Sequence, residues 1–208
     1  MNHAQATRLR AALLDPLAAQ QIEVAGNSAA AVLAPLFERE DELHAVFTKR
    51  RSHLRLHAGQ ISFPGGRRED GDADLIQTAL REAREEIGLD PGGVTLLGAL
   101  RPTPTVVSDI AIYPIVGLIA APSGSWTIAA DEVEAVIEAS LPRLAATHHL
   151  LTVERPDGER VTTDAYTVGG DTIWGATGRI VADLLSRLET PGGTSDGLVS
   201  TEGPDLPR

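Results

Sequence analysis

The chain has 208 residues and a formal net charge of −11, and this length favours one domain with short extensions. Because nucleic acids and anionic membranes attract Lys and Arg, the acidic excess argues against both as partners, and seven aromatic residues are too few for a base-stacking platform. The absence of cysteine excludes disulfides, zinc–thiolate sites and cysteine nucleophiles.

The first 28 residues predict a helical extension. Residues 3–14 have apolar side chains at helical spacing, and Pro16 is expected to end that helix. The arginines near the N-terminus are not followed by the apolar core of a signal peptide. The most apolar stretch, 110–121, is too short to cross a bilayer. We therefore expect a cytoplasmic protein that does not bind membranes.

Short strands are predicted next, in a domain that we expect to span residues 29–189. Residues 29–37 and 44–48 have strand character and flank a charged run at 38–42 that is expected to be a solvated loop. A third strand at 60–63 should stop at Pro64-Gly65-Gly66.

The clearest helix is predicted over residues 73–88, with Gly88 as its C-terminal cap. Later elements are strands at 94–100, 110–119 and 133–137, a helix at 141–146, a hairpin of 149–153 with 160–168, a turn at Gly169-Gly170 and a helix at 172–188. Residues 190–208 are poor in apolar residues, which predicts a disordered tail. Strands and helices without regular alternation favour a mixed sheet with helices on both faces.

Three glutamates of the predicted helix form one acidic surface. Glu82, Glu85 and Glu86 stand at positions i, i+3 and i+4, so their carboxylates share one side. Such carboxylates repel one another, and a divalent ion that prefers oxygen ligands, Mg²⁺ or Mn²⁺, relieves the repulsion. By itself the pattern is also explained by a salt-bridged surface helix. The preceding Gly65-Gly66 favours the metal, because glycine lets the backbone turn sharply and offer a carbonyl.

These residues resemble the signature of the Nudix hydrolase family, Gly-x5-Glu-x7-Arg-Glu-U-x-Glu-Glu-x-Gly-U, where U is a bulky apolar residue. Its second half is matched by Arg81, Glu82, Glu85, Glu86, Gly88 and Leu89. The first half departs from it, because the loop after Gly66 is one residue longer and Asp72 replaces the glutamate. The resemblance therefore leaves the role of Asp72 open.

The segment from Phe47 to Gly66 is similar to the extended signature of the coenzyme A pyrophosphatase branch of this family, which also tolerates the longer loop and the aspartate. The resemblance implies a Nudix-like α/β/α sandwich, with a mixed β-sheet between helices. It also implies hydrolysis of coenzyme A or an acyl-coenzyme A to 4′-phosphopantetheine and adenosine 3′,5′-bisphosphate. Because Nudix relatives are often dimers, a homodimer is an open alternative to a monomer.

The resemblance also implies roles for individual residues. Mg²⁺ or Mn²⁺ is expected on Glu82, Glu85, Glu86 and the carbonyl of Gly66. Either Glu85 or a later acid, Glu132, is expected to deprotonate the attacking water. Arg81 is expected to orient the carboxylates through a salt bridge.

Four cations, Lys49, Arg50, Arg51 and Arg55, lie within seven residues of this acidic chain. A solvated basic loop explains them as well as a phosphate site does. Their position just before the acidic helix favours phosphate, which arginine binds through two hydrogen bonds. We take Arg50, Arg51 and Arg55 as the candidates for substrate binding.

Two other functions stay open at this stage. One is a Nudix pyrophosphatase for another small nucleotide, such as ADP-ribose, NADH or a nucleoside triphosphate. The other is a Nudix-like binding module without catalysis, against which the intact Glu82, Glu85 and Glu86 argue.

Overall fold

The computed structural model describes residues 3–26, 28–54, 57–105, 109–155 and 158–189. In these residues a mixed sheet contains β1 (Ser28–Arg39), β2 (Glu42–Arg50), β3 (Ile61–Ser62), β4 (Gly65–Arg67), β5 (Thr95–Ala99), β6 (Thr103–Pro104), β7 (Ile110–Leu118) and β8 (Val133–Ser140). A smaller sheet contains β9 (His149–Glu154), β10 (Arg160–Val168) and β11 (Asp171–Ile173). The helices are α1 (His3–Ala12), α2 (Pro16–Ala19), α3 (Leu75–Ile87), α4 (Leu141–Ala146) and α5 (Gly175–Glu189).

Strand β1 is the centre of the large sheet. It runs parallel to β7 over its first nine residues, and it is antiparallel to β2 at its C-terminal end and to β4 near its N-terminal end. Since β2 pairs with β1 over only four residues, the two strands separate beyond that point. Strand β4 lies against β1 where β2 does not, and this places Gly66 opposite Ala31.

The two faces of the sheet bury different sets of side chains. On one face Ala31 and Leu33 of β1 pack with Leu75, Ala79 and Ala83 of α3. On the other face, the alternate residues of β1 pack with α1, α4, α5 and part of the small sheet, a cluster that includes Leu9, Val32, Leu36, Leu144, Tyr166, Ile180 and Leu184. Alternation along a strand sends neighbouring side chains to opposite faces. The predicted α/β/α sandwich is therefore confirmed.

Helix α3 has well-defined ends. The Asp74 side chain accepts a hydrogen bond from the Gln77 backbone N–H at the N-terminus, and Gly88 ends the helix in a left-handed conformation with φ 68°. These are the caps that polar side chains and glycine favour. The predicted C-terminal cap is confirmed, and the helix is fixed at both ends relative to the sheet.

Three expectations from the sequence were wrong in detail. The charged run is not a loop throughout, because β1 and β2 extend into it and only Glu40 and Asp41 turn, both with positive φ. The glycine pair does not turn but extends as β4. The last helix does not begin at residue 172, because the turn at Gly169-Gly170 leads into β11 and α5 begins only at Gly175. The strands thus pair further than their apolar residues indicate.

The N-terminal segment covers the β5 side of the sheet. Helix α1 ends at Ala12, Asp15 caps the short helix that begins at Pro16, and Leu14 and Ala99 exchange backbone hydrogen bonds of 2.9 Å. Pro16 therefore begins a helix as well as following one. No helix of the described residues is long and apolar enough to cross a membrane. The predicted tail at 190–208 lies outside the described residues.

Candidate active site

Two glutamates of α3 face the strands of the large sheet. Glu86 is 8% exposed and its Oε2 lies 3.5 Å from the hydroxyl oxygen of Thr48 on β2. The Glu82 carboxylate lies against Gly66 of β4. Because β2 and β4 both border the gap beside β1, the two carboxylates and the glycine pair meet at one place.

Neither of these carboxylates is fully compensated by a cation. Burial, together with the charges of Glu82 and Glu132, raises the pKa of Glu86 to about 8, although a hydrogen bond from the Gly65 N–H and the charge of Arg50 oppose the rise. Burial also raises the pKa of Glu82, although Arg81 opposes that rise. Desolvation of a carboxylate is costly when no cation faces it. The negative charge of the site is therefore only partly neutralised, which favours the binding of a cation.

Arg81 is held by the carboxylate of Asp72. Its Nε and Nη2 each donate a 3.0 Å hydrogen bond to Asp72, whose carboxylate also accepts from the Thr78 hydroxyl at 2.9 Å and from the Glu69 N–H at 3.0 Å. Asp72 is 6% exposed. Hydrogen bonds from Arg81 hold the pKa of Asp72 far below its usual value. Asp72 thus fixes the guanidinium.

The remaining guanidinium nitrogen reaches two glutamates of the acidic surface. Arg81 Nη1 is 2.9 Å from Glu82 Oε1 and 3.2 Å from Glu85 Oε2. The Glu85 side chain is 58% exposed, so it lies at the rim rather than beside Glu86. The structure brings Glu82 and Glu86 to the sheet and leaves Glu85 on Arg81.

Glycine at position 66 is required by the close approach of α3. A Cβ atom there would overlap the Glu82 carboxylate, and one at Gly65 would overlap Val32 of β1. The glycine pair therefore serves to bring backbone and carboxylate together within an extended strand, not to turn the chain. Any larger residue at Gly66 would displace Glu82.

The basic segment begins beside these acids. Arg50 Nη1 lies 3.6 Å from Glu132 Oε2, and the Arg51 N–H donates to the Glu132 carbonyl at 2.9 Å. In the parts of the chain that the structure describes, the buried Nε of Arg51 has no hydrogen-bond partner. Arg55 lies outside the described residues. Arg50 and Arg51 are thus placed next to the carboxylates.

Glu132 reaches the site from the end of the loop between β7 and β8. The Ala129 N–H donates a 2.9 Å hydrogen bond to the carbonyl of Glu86, and the Glu132 N–H donates to Ala129 at 3.0 Å. The loop is therefore tied to the last turn of α3. The charge of the Glu132 carboxylate contributes to the raised pKa of both Glu82 and Glu86.

The donor set fits a hard divalent cation. It consists of carboxylate oxygens that repel one another and lie next to the backbone of Gly66. Oxygen ligands of this kind suit Mg²⁺ and Mn²⁺. Within the described ranges, no three acidic or histidine side chains gather closely enough to hold an ion by themselves. Mg²⁺ commonly completes its coordination with water and substrate phosphate.

The sequence did not assign a role to two residues of the site, Asp72 and Thr48. Asp72 had no assigned role, although its acidic character in the expected loop was a usable signal. Thr48 had none, and its proximity to Glu86 depends on pairing between residues 38 positions apart. Only the fold brings that hydroxyl to the acid.

Comparisons with known proteins show the family of this chain. A model of the NUDIX domain matches residues 27–162. Proteins named "Uncharacterized Nudix hydrolase NudL" from Salmonella paratyphi B and Salmonella enteritidis PT4 are each 38% identical over 169 residues, covering 80% of this chain and 85% of theirs. A MutT/nudix family protein from Enterococcus faecalis is 17% identical with a TM-score of 0.52, and the match covers 83% of this chain and 66% of that one.

Proposed function

This chain belongs to the Nudix family of hydrolases and is a pyrophosphohydrolase, and on that premise we propose that it hydrolyses the diphosphate bond of coenzyme A or an acyl-coenzyme A. The products are 4′-phosphopantetheine, or its acylated form, and adenosine 3′,5′-bisphosphate. In this proposal the binding partner is a small nucleotide substrate, coenzyme A or its acyl derivative, and the cofactor is Mg²⁺ or Mn²⁺. A cytoplasmic location and a homodimer remain predictions.

In this proposal Glu82, Glu86, Glu85 and the carbonyl of Gly66 hold Mg²⁺ or Mn²⁺. When bound, the ion supplies positive charge that stabilises the phosphoryl oxygens in the transition state. Arg81, fixed by Asp72, keeps Glu82 and Glu85 in place. The protein thus holds several acidic side chains close together despite their mutual repulsion.

The chain's other residues bind substrate and move one proton. Arg50, Arg51 and Arg55 bind phosphate oxygens. Water attacks one phosphorus of the diphosphate, its proton passes to Glu132 or Glu85, and the bridging P–O bond breaks so that the other phosphate leaves. Glu132 and Glu85 are 56% and 58% exposed, so water can reach either acid, and Glu132 also lies beside Arg50.

One observation carries the proposal: the basic segment that resembles the coenzyme A signature begins at the acidic site. Thr48 lies beside Glu86, Arg50 lies beside Glu132, and in the described residues the buried Nε of Arg51 has no hydrogen-bond partner. Arginines next to acids that hold a divalent ion suit a ligand with several phosphates, since phosphate binds both to arginine and to such an ion. Coenzyme A has a 3′-phosphate in addition to its diphosphate.

A substrate panel tests the proposal. Purified protein with Mg²⁺ or Mn²⁺ is incubated with coenzyme A, an acyl-coenzyme A, 3′-dephospho-coenzyme A, ADP-ribose, NADH and a nucleoside triphosphate, and products are separated by chromatography. We expect the highest kcat/KM for coenzyme A or its acyl derivative, with equal amounts of the two products. A preference for ADP-ribose, NADH or the triphosphate would replace the proposed substrate by that compound.

A further inference from the structure

An ion-pair cluster lies on the face of β2 that is turned away from α3. Lys49 Nζ is 3.1 Å from both carboxylate oxygens of Asp171 and 3.4 Å from Glu134 Oε1. Asp171 begins β11 of the small sheet, whereas Glu134 lies on β8. The cluster therefore ties together three strands, and the proposed reaction uses none of its members.

Strand β8 contains a bulge at this cluster. Lys49 pairs with Ala135 and Arg50 pairs with Val133, so Glu134 is an extra residue on β8. Regular pairing would place Glu134 opposite Arg50, on the face that packs against α3. The bulge instead lets Glu134 reach Lys49 on the other face, because an extra residue interrupts the regular alternation of side chains along the strand.

Glu132 lies two residues before Glu134, just before β8 begins. The Glu132 carbonyl accepts the Arg51 N–H at 2.9 Å, and the Glu132 carboxylate lies 3.6 Å from Arg50. Glu132 therefore contacts the basic segment beside the candidate site, whereas Glu134 contacts Lys49. Because only Val133 separates the two acids, a shift of the bulge also shifts the backbone of Glu132.

We propose that Lys49 and Asp171 are positioning residues that hold the β8 bulge and thereby keep Glu132 at the catalytic site. This inference rests on the proposed function, in which Glu132 or Glu85 accepts the proton of the attacking water, and it takes Glu132 as the acceptor. Without the lysine, the like charges of Glu134 and Asp171 face one another and repel. The bulge is then no longer held by the ion pairs of Lys49, and Glu132 loses its fixed position.

The kinetic test uses Lys49→Met, which keeps the apolar stem of the side chain and removes its charge. Displacement of a catalytic group by about 1 Å costs up to ~10²-fold in rate, so we expect kcat to fall about tenfold or more with KM unchanged. Glu132→Gln should lower kcat by ~10²- to 10⁴-fold. The double variant should be no slower than Glu132→Gln alone.

Three kinetic results would overturn the proposal: an unchanged kcat in Lys49→Met, a full additional loss in the double variant, or full activity in Glu132→Gln. Asp171→Asn should lower kcat in the same direction as Lys49→Met. The matched control is Arg187→Met, which removes an ion pair of 3.0 Å with Asp183 on α5 and should leave kcat and KM unchanged.

Hydrogen–deuterium exchange gives a readout that needs no substrate. In Lys49→Met and Asp171→Asn, peptides covering residues 129–135 should exchange about tenfold faster than in the parent protein, because backbone groups exchange through local opening. In Arg187→Met the exchange of these peptides should not change. Unchanged exchange in both test variants overturns the inference, whichever compound of the substrate panel is hydrolysed, so its failure is distinct from failure of the proposed substrate.

Discussion

One buried carboxylate lies just before helix α3 and another lies in its last turn, and their surroundings differ sharply. Asp72, before the helix, accepts hydrogen bonds from Arg81, Thr78 and Glu69, and its pKa lies far below the usual value. Glu86, in the last turn, faces other acids, and burial raises its pKa to about 8. Their exposed fractions are 6% and 8%, so burial alone does not separate them.

The difference between them is the presence of a fixed cation. A buried acid with an arginine and neutral donors is satisfied within the protein, and it stabilises the fold. A buried acid without a paired cation is costly to the fold, and it is stabilised by a ligand of positive charge. From this comparison we expect Asp72 to serve structure and Glu86 to hold the proposed ion.

The largest expected effect comes from Glu86→Gln. We expect kcat to fall at least ~10³-fold, because the chain loses a buried anionic oxygen donor at the reacting phosphate. Thermal stability without divalent ions should stay the same or rise, since the variant no longer buries an ionisable carboxyl whose pKa is raised in the folded state. Mn²⁺ should raise the melting temperature of the parent protein and not of the variant. Near-normal turnover would contradict the assignment of Glu86.

Gly66→Ala should have the next largest effect. The added methyl group overlaps the Glu82 carboxylate, so we expect that acid to move and kcat to fall about 10²-fold. Asp72 and Arg81 should remain paired. The matched control is Gly93→Ala, where a methyl group has open space and kinetics should not change. Equal activity of the two variants would show that close approach at Gly66 is unnecessary.

Asp72→Asn should act mainly on stability. Removing the Asp72 charge leaves Arg81, which is partly buried, with weaker hydrogen bonds, at a cost of about 2 kcal/mol in the free energy of unfolding. We expect a smaller fall in kcat than for Glu86→Gln, because Glu82 and Glu85 still bind Arg81. Urea unfolding and steady-state kinetics measure both. A larger kinetic than stability defect would reverse the roles assigned to Asp72 and Glu86.

The smallest effects are in the pH dependence of stability, measured by urea unfolding with a chelator present. The lowered pKa of Asp72 adds stability above about pH 4, the pKa of an unfolded aspartate, and that stability is lost as the pH falls further. The raised pKa of Glu86 acts in the opposite direction: stability falls as the pH rises from about 4 to about 8, because only the folded carboxyl retains its proton there.

The two variants separate these contributions. Asp72→Asn should flatten the loss on the acidic side, and Glu86→Gln should flatten the loss between about pH 4 and pH 8. Profiles of both variants that run parallel to that of the parent protein would show that these two groups do not differ in the way that the structure indicates.

Much of the site was predictable because it lies on one helix. The spacing of Glu82, Glu85 and Glu86 follows from helical geometry, and the cap at Gly88 follows from local conformation. The family resemblance rested on the same segment. The expectation that all three acids act together was less secure, since the helix also presents Glu85 to solvent and to Arg81. The sequence alone gave no measure of burial.

The sequence by itself determined the acidic helix, its C-terminal cap and the layered fold class, because periodicity and capping act between residues close together in the chain. Only the tertiary structure decided that Gly66 extends as a strand against Glu82, that Thr48 faces Glu86, and that β8 has a bulge at Glu134. The physical reason is that these contacts depend on strand register and on close packing. Both are set by the sum of contacts between distant segments rather than by any local pattern.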